Sequence, residues 1–235
     1  MTDAVHTDRP VLRSGLARVA AGVFSALVLV HLVAQLLGAG SLAEPTQWLL
    51  MPALAAVLWC ATTAPRSRLV RLVLVALGFS WVGDTLPDLF TGDAAFLAMV
   101  GGFLVAQVVY VTAFWPDRRD SVLHRRRGVL LVYAALAVVL VALCLPGAPG
   151  VLAVAIVVYA VCLVSMAVLA TGVHRLAGIG GAVFLASDAM IALGAFTDWF
   201  APPAADFWVM LTYVVGQALL VAGVVARQEI SGRAA

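Results

Sequence analysis

Eight apolar stretches fill nearly the whole of this 235-residue chain, at about 16–38, 46–64, 69–90, 94–115, 128–145, 150–172, 176–197 and 206–226. A helix needs roughly 20 apolar residues to cross about 30 Å of hydrocarbon. Eight runs of that length predict an all-α membrane bundle of eight spanning helices, with residues 1–15 and 228–235 as polar tails. No stretch is left for a soluble domain. A content of 64% hydrophobic and 11% charged residues agrees with this class. Strands that span a membrane are shorter and alternate in polarity, so a barrel does not fit.

The basic residues orient the bundle. All are arginine, and they cluster before the first span and in alternate loops. Arg66, Arg68 and Arg71 lie between spans two and three, and Arg118, Arg119, Arg125, Arg126 and Arg127 between four and five. The other loops carry Glu44, Asp88, Asp93, Asp198 and Asp206 and no arginine. Positive-inside then predicts cytoplasmic N- and C-termini. An arginine-only, Ala/Val-rich chain points to the plasma membrane of a high-GC bacterium. The small-residue end of the first span, GAGSLAEP, resembles a cleavage site, but its apolar run is long for a signal sequence, so the span is read as retained. Cys60, Cys144 and Cys162 are scattered in the spans and suggest neither disulfides nor a metal cluster.

Two acidic residues break the apolar pattern. Asp84 and Asp188 each lie 13 residues beyond the last arginine of their segment. At 1.5 Å per residue, both sit roughly 20 Å from the cytoplasmic boundary. Each costs on the order of 3 kcal/mol in hydrocarbon, so a polar site inside the bundle is the natural reason to keep them. Tyr213 falls at the same level, Gln107 and Gln217 near the midplane, Tyr110 lower and Tyr159 higher. The bland alternatives are helix glue for the glutamines and packing for the tyrosines. His31 and Gln35, at i and i+4, read as a local polar stripe. Trp48, Trp115, Trp199 and Trp208 read as interface anchors.

The halves echo each other. Asp84 and Asp188 are in spans three and seven, Gln107 and Gln217 in spans four and eight. A small residue precedes each aspartate (Gly83, Ser187) and an aromatic lies upstream (Phe79, Phe184). Such an echo fits two parallel four-helix halves.

Two carboxylates at one depth in a low-dielectric bundle would not titrate alike. One neutral and one ionised carboxylate is the pairing used to break C–O bonds through an oxocarbenium ion. No HExxH, CxxC, GxSxG or phosphate-loop motif competes with this reading. The same carboxylates could instead serve a proton-coupled transporter or lipid carrier. A non-catalytic membrane subunit is a third possibility.

The blocks GFSWVGDTLPDLF, GGFLVAQVVYVTAF, VVYAVCLVSMAV, GGAVFLASDAMIAL and LTYVVGQALLVAG resemble, in order, those of the YhhN/TMEM86 family of lysoplasmalogenase-like membrane proteins. The resemblance covers about 46–226. It implies an eight-helix bundle that hydrolyses the vinyl ether of a lysoplasmalogen or related lysolipid, giving a fatty aldehyde and a glycerophospho-headgroup. Asp84 and Asp188 would be catalytic, without a division of roles. Gln107, Tyr110, Tyr159, Ser187, Tyr213 and Gln217 would bind substrate. A membrane lipid would be the partner, with no nucleic acid, metal or organic cofactor. Position 107 departs from the family, where histidine is common. So do Gln47 and Trp48, where a Lys-Pro pair is common.

Overall fold

The computed structural model describes residues 8–148 and 150–233. These form eight long helices and a short one: α1 Asp8–Leu36, α2 Gly40–Ala61, α3 Arg68–Thr85, α4 Gly92–Phe114, α5 Val122–Arg125, α6 Arg127–Cys144, α7 Val151–Val173, α8 Arg175–Phe196 and α9 Ala205–Arg233. Helix α1 begins inside the segment expected to be a tail, and α9 runs on to Arg233. Residues 1–7 and 234–235 of those tails lie outside the described residues.

Proline sets three of the helix ends by one rule. A proline has no N–H to continue the helical ladder and its ring crowds the carbonyl four residues back, so a helix that reaches an X-Pro dipeptide ends there or tightens, even though Leu86, Trp115 and Leu145 before these prolines keep right-handed helical angles. Helices α3, α4 and α6 each stop one residue ahead of such a dipeptide, at Thr85, Phe114 and Cys144. Each then passes into a 3-10 turn that carries the proline. Ser67 caps α3 by accepting the Val70 N–H at 3.3 Å. The His174 ring caps α8 by accepting the Leu176 N–H at 3.1 Å.

Seven of the long helices have the length and composition to cross a membrane. The exception is α2, whose first half carries Glu44, Pro45, Thr46 and Gln47. It nonetheless packs along both α1 and α3. His31 of α1, fully buried, ties α1 to α2 by directing Nδ1 to the Ala43 carbonyl at 3.1 Å and the Thr46 hydroxyl at 3.0 Å. The Thr46 hydroxyl donates to carbonyls of its own helix, so the histidine proton sits on Nδ1. His31 is thus a bond between helices rather than part of a stripe with Gln35.

Small residues draw the helices together, as expected where lipid gives apolar side chains no reason to leave it. A Cβ on Gly102 of α4 would come within 2.6 Å of the Gly83 backbone nitrogen on α3. A Cβ on Gly180 of α8 would lie 2.7 Å from the Gly216 carbonyl oxygen on α9, and one on Gly223 would lie 2.5 Å from the Ala177 nitrogen. These crossings bring α3, α4, α8 and α9 close around one interior.

The packing follows the expected halves only in part. Helix α4 packs on α7 and α9 on α2, contacts that a parallel two-fold would relate. Helix α1 also packs on α9, but its counterpart α6 makes no comparable packing with α4. Phe184 is fully buried whereas Phe79 is 37% exposed, so the upstream aromatics are not equivalent. At the arginine-rich end, the 115–126 connection is pinned by an Arg227–Asp117 ion pair of 2.7 Å and by the Val122 N–H on the Thr171 hydroxyl at 3.0 Å.

Candidate active site

Asp84 comes from the last turn of α3 and Asp188 from the middle of α8. Both face inward and are more than nine-tenths buried. Each carboxylate accepts one tyrosine hydroxyl. Tyr213 of α9 donates to Asp84 Oδ2 at 2.7 Å, and Tyr159 of α7 donates to Asp188 Oδ2 at 2.5 Å. A hydrogen bond from a neutral hydroxyl lets a carboxylate sit in an apolar bundle without a cationic partner.

Both line a chamber of about 300 Å³ that opens at the arginine-free end of the bundle. Its mouth is acidic and amide-bearing, with Asp88, Asp206, Gln35 and Gln47. Asp88 is held there by the Trp48 indole N–H at 2.7 Å, and Trp48 offers its carbonyl to the Trp81 indole at 2.9 Å. The chamber's floor is an aromatic cluster. The Tyr213 ring meets Phe103 and Phe184 edge-on, each with centroids 5.6 Å away.

A second cavity, of about 60 Å³ and almost wholly apolar, runs between α4, α6, α7 and α8. It occupies the gap where α6 does not close on α4. Phe96 and Phe196, packed edge-to-face at 5.2 Å, line its far end. The chamber and the groove share four lining residues: Met99, Phe103, Asp188 and Ile191. A polar space at the arginine-free end therefore meets an almost wholly apolar one, and an acid stands at the meeting.

The structure divides the residues singled out from the sequence into two layers. Asp84, Asp188, Ser187 and Tyr213 line the chamber, and Tyr159 and Asp188 the groove. The Ser187 hydroxyl donates to the Val209 carbonyl at 2.9 Å, so its proton is committed to bracing α8 against α9. Tyr110, Gln107 and Gln217 are fully buried and line neither cavity. Tyr110 donates to Gln217 Oε1 at 2.7 Å, and Gln217 Nε2 donates to the Ser80 hydroxyl at 3.1 Å. That chain joins α4, α9 and α3 beneath the acids. Gln107 lies beside Tyr159 with neither amide atom in a hydrogen bond of normal geometry.

The sequence reading passed over Gln35 and Asp206 as parts of the site and took Gln47 only as a departure. Their signal was available: all three fall at the arginine-free ends of their helices, level with the aspartates or just beyond. Among the described residues no three His, Cys, Asp or Glu gather closely enough to hold a metal ion.

The family model described as the YhhN family matches residues 42–224, which includes every residue of the two cavities except Gln35. No curated protein and no solved structure matches the chain.

Proposed function

The chain belongs to the YhhN family, a lysoplasmalogenase-like group of membrane proteins, and from that premise we propose that it is an intramembrane hydrolase of the vinyl ether bond in a lysoplasmalogen or a related single-chain ether lipid. The observation that carries this is the acid standing where a polar chamber meets an apolar groove. A single-chain lipid has the same division. The vinyl end of its alkenyl chain suits the groove, whose about 60 Å³ takes only the first carbons, its glycerophospho-headgroup suits the chamber, and its ether bond falls between. Vinyl ethers hydrolyse through protonation at the β-carbon and capture of the oxocarbenium ion by water. A carboxylic acid and a carboxylate supply both steps. Both termini would be cytoplasmic, so the chamber would open on the outer face.

A carrier would need the polar route to continue to the other membrane face. Below the acids lie the interlocked Tyr110–Gln217–Ser80 chain and the buried Phe114, which favours a closed reaction chamber. The test is mass spectrometry of fatty aldehyde release from lysoplasmalogen by purified protein in detergent, beside Asp84→Asn. Release by wild type alone supports the hydrolase. Release by neither, with lipid movement in sealed vesicles, would replace it with the carrier.

The groove makes a separate prediction. Ala192→Trp should fill it from α8 while leaving both acids in place. Turnover of a long-chain substrate is expected to fall at least about 10-fold, chiefly through KM, with a short-chain analogue much less affected. Equal loss for both chain lengths would count against the groove as the chain site.

A further inference from the structure

We infer that the two aspartates have fixed and different roles: Asp188 delivers the proton to the β-carbon of the vinyl ether, and Asp84 activates the water that traps the cation. This rests on the hydrolase reading above.

The placement of the acids supplies the argument. Of the four residues shared by groove and chamber, Asp188 alone carries an acidic group. Asp84 lines the chamber and not the groove. In an alkenyl ether the β-carbon is on the chain side of the α-carbon, and the ether oxygen and glycerol are on the other. A lipid lying with its chain in the groove brings the β-carbon to the junction first. The α-carbon, where water must add, then lies on the chamber side with Asp84. Water reaches the chamber from its polar mouth, past Asp88 and Asp206. Asp84 also has an oxygen free for it, because Tyr213 engages only Oδ2.

The steps balance. The Asp188 O–H bond breaks and the C=C pair takes the proton at the β-carbon. An ether lone pair forms the C=O⁺ bond, and Asp188 is left ionised. Water adds to the α-carbon and passes a proton to the Asp84 carboxylate, giving a hemiacetal. The bond from the α-carbon to the glyceryl oxygen then breaks, and Asp84 returns its proton to that oxygen. The hemiacetal hydroxyl proton goes to Asp188 as the aldehyde forms. Both groups end as they began. The tyrosines are positioning residues: Tyr159 holds Asp188 at the junction, and Tyr213, wedged between Phe103 and Phe184, holds Asp84.

Deuterium exchange separates the roles. Protein in D2O is incubated with lysoplasmalogen, and the recovered substrate is assayed for deuterium at the β-vinyl carbon alongside aldehyde release. In Asp84→Asn, protonation still occurs but the cation is trapped slowly. It returns its proton or deuteron to Asp188, so the recovered substrate is expected to carry deuterium. In Asp188→Asn protonation itself fails, and the recovered substrate should carry none. Asparagine matches aspartate in size, and melting temperatures close to wild type would establish that both variants fold. Deuterium in the Asp188→Asn substrate, or in neither, overturns the assignment. If wild type releases no aldehyde, the hydrolase reading itself falls and the assignment with it.

Discussion

Asp84→Asn and Asp188→Asn are each expected to lower aldehyde release about 10²–10⁴-fold, the usual range for loss of a general acid or base. A 10³-fold loss is roughly 4 kcal/mol of transition-state stabilisation. Stability should hardly change, because an asparagine carbonyl can still accept the hydroxyl of Tyr213 or Tyr159. That separation distinguishes chemistry from packing, since a purely structural aspartate would lose melting temperature along with rate. Tyr213→Phe and Tyr159→Phe should cost less, about 10-fold each. They remove one hydrogen bond from an acid that remains, roughly 1–1.5 kcal/mol. In the proposed cycle the two acids act together, so the double asparagine variant should be little worse than the poorer single one. Multiplying losses would instead indicate independent contributions. Steady-state rates beside thermal melts decide between these outcomes.

The second large effect is steric. Gly102→Val is expected to reduce both stability and turnover, whereas Gly101→Val, one residue away, should do neither. A Cβ at 102 would meet the nitrogen and Cα of Gly83 at 2.6 and 2.7 Å, while one at 101 meets nothing within 4 Å. Backbone atoms cannot swing aside, so α3 and α4 must part. Overpacking of this kind costs about 1–3 kcal/mol, or roughly 2–12 °C in melting temperature for a chain of this size. Gly83 adjoins Asp84, so parting the helices also moves the acid away from Tyr213. Equal melting temperatures for the two variants would show that the glycine crossing does not hold the site.

The acids themselves were legible because they violate a strong rule. Intramembrane aspartates are costly, and two at one depth ask for a common reason. The depth estimate put Tyr213 level with the acids and Tyr159 somewhat higher, and each donates to one of the acids. Depth says nothing of direction around the helix axis. It could not therefore exclude Tyr110, Gln107 and Gln217, which the family resemblance assigned to substrate and which lie fully buried and line neither cavity. The apolar segments were legible from length, but α2 was not separable from the rest by its apolar second half alone. Its polar first half keeps it short of the apolar composition a span needs, though not of the length, and His31 on α1 ties that polar half down. The groove was not legible at all. It arises from a contact that α6 does not make with α4, and no pattern within either segment encodes a missing neighbour.

That missing contact sets the dimensionality of the encounter. With the gap facing hydrocarbon, the proposed lipid substrate would meet the acids by diffusing in the plane of the membrane, not from solution in the surrounding water. Rate would then follow the substrate's mole fraction in the sheet or micelle. Adding inert detergent at constant total substrate would slow the reaction by dilution within the surface. A Michaelis constant quoted in moles per litre would describe the amphiphile chosen for the assay more than the protein.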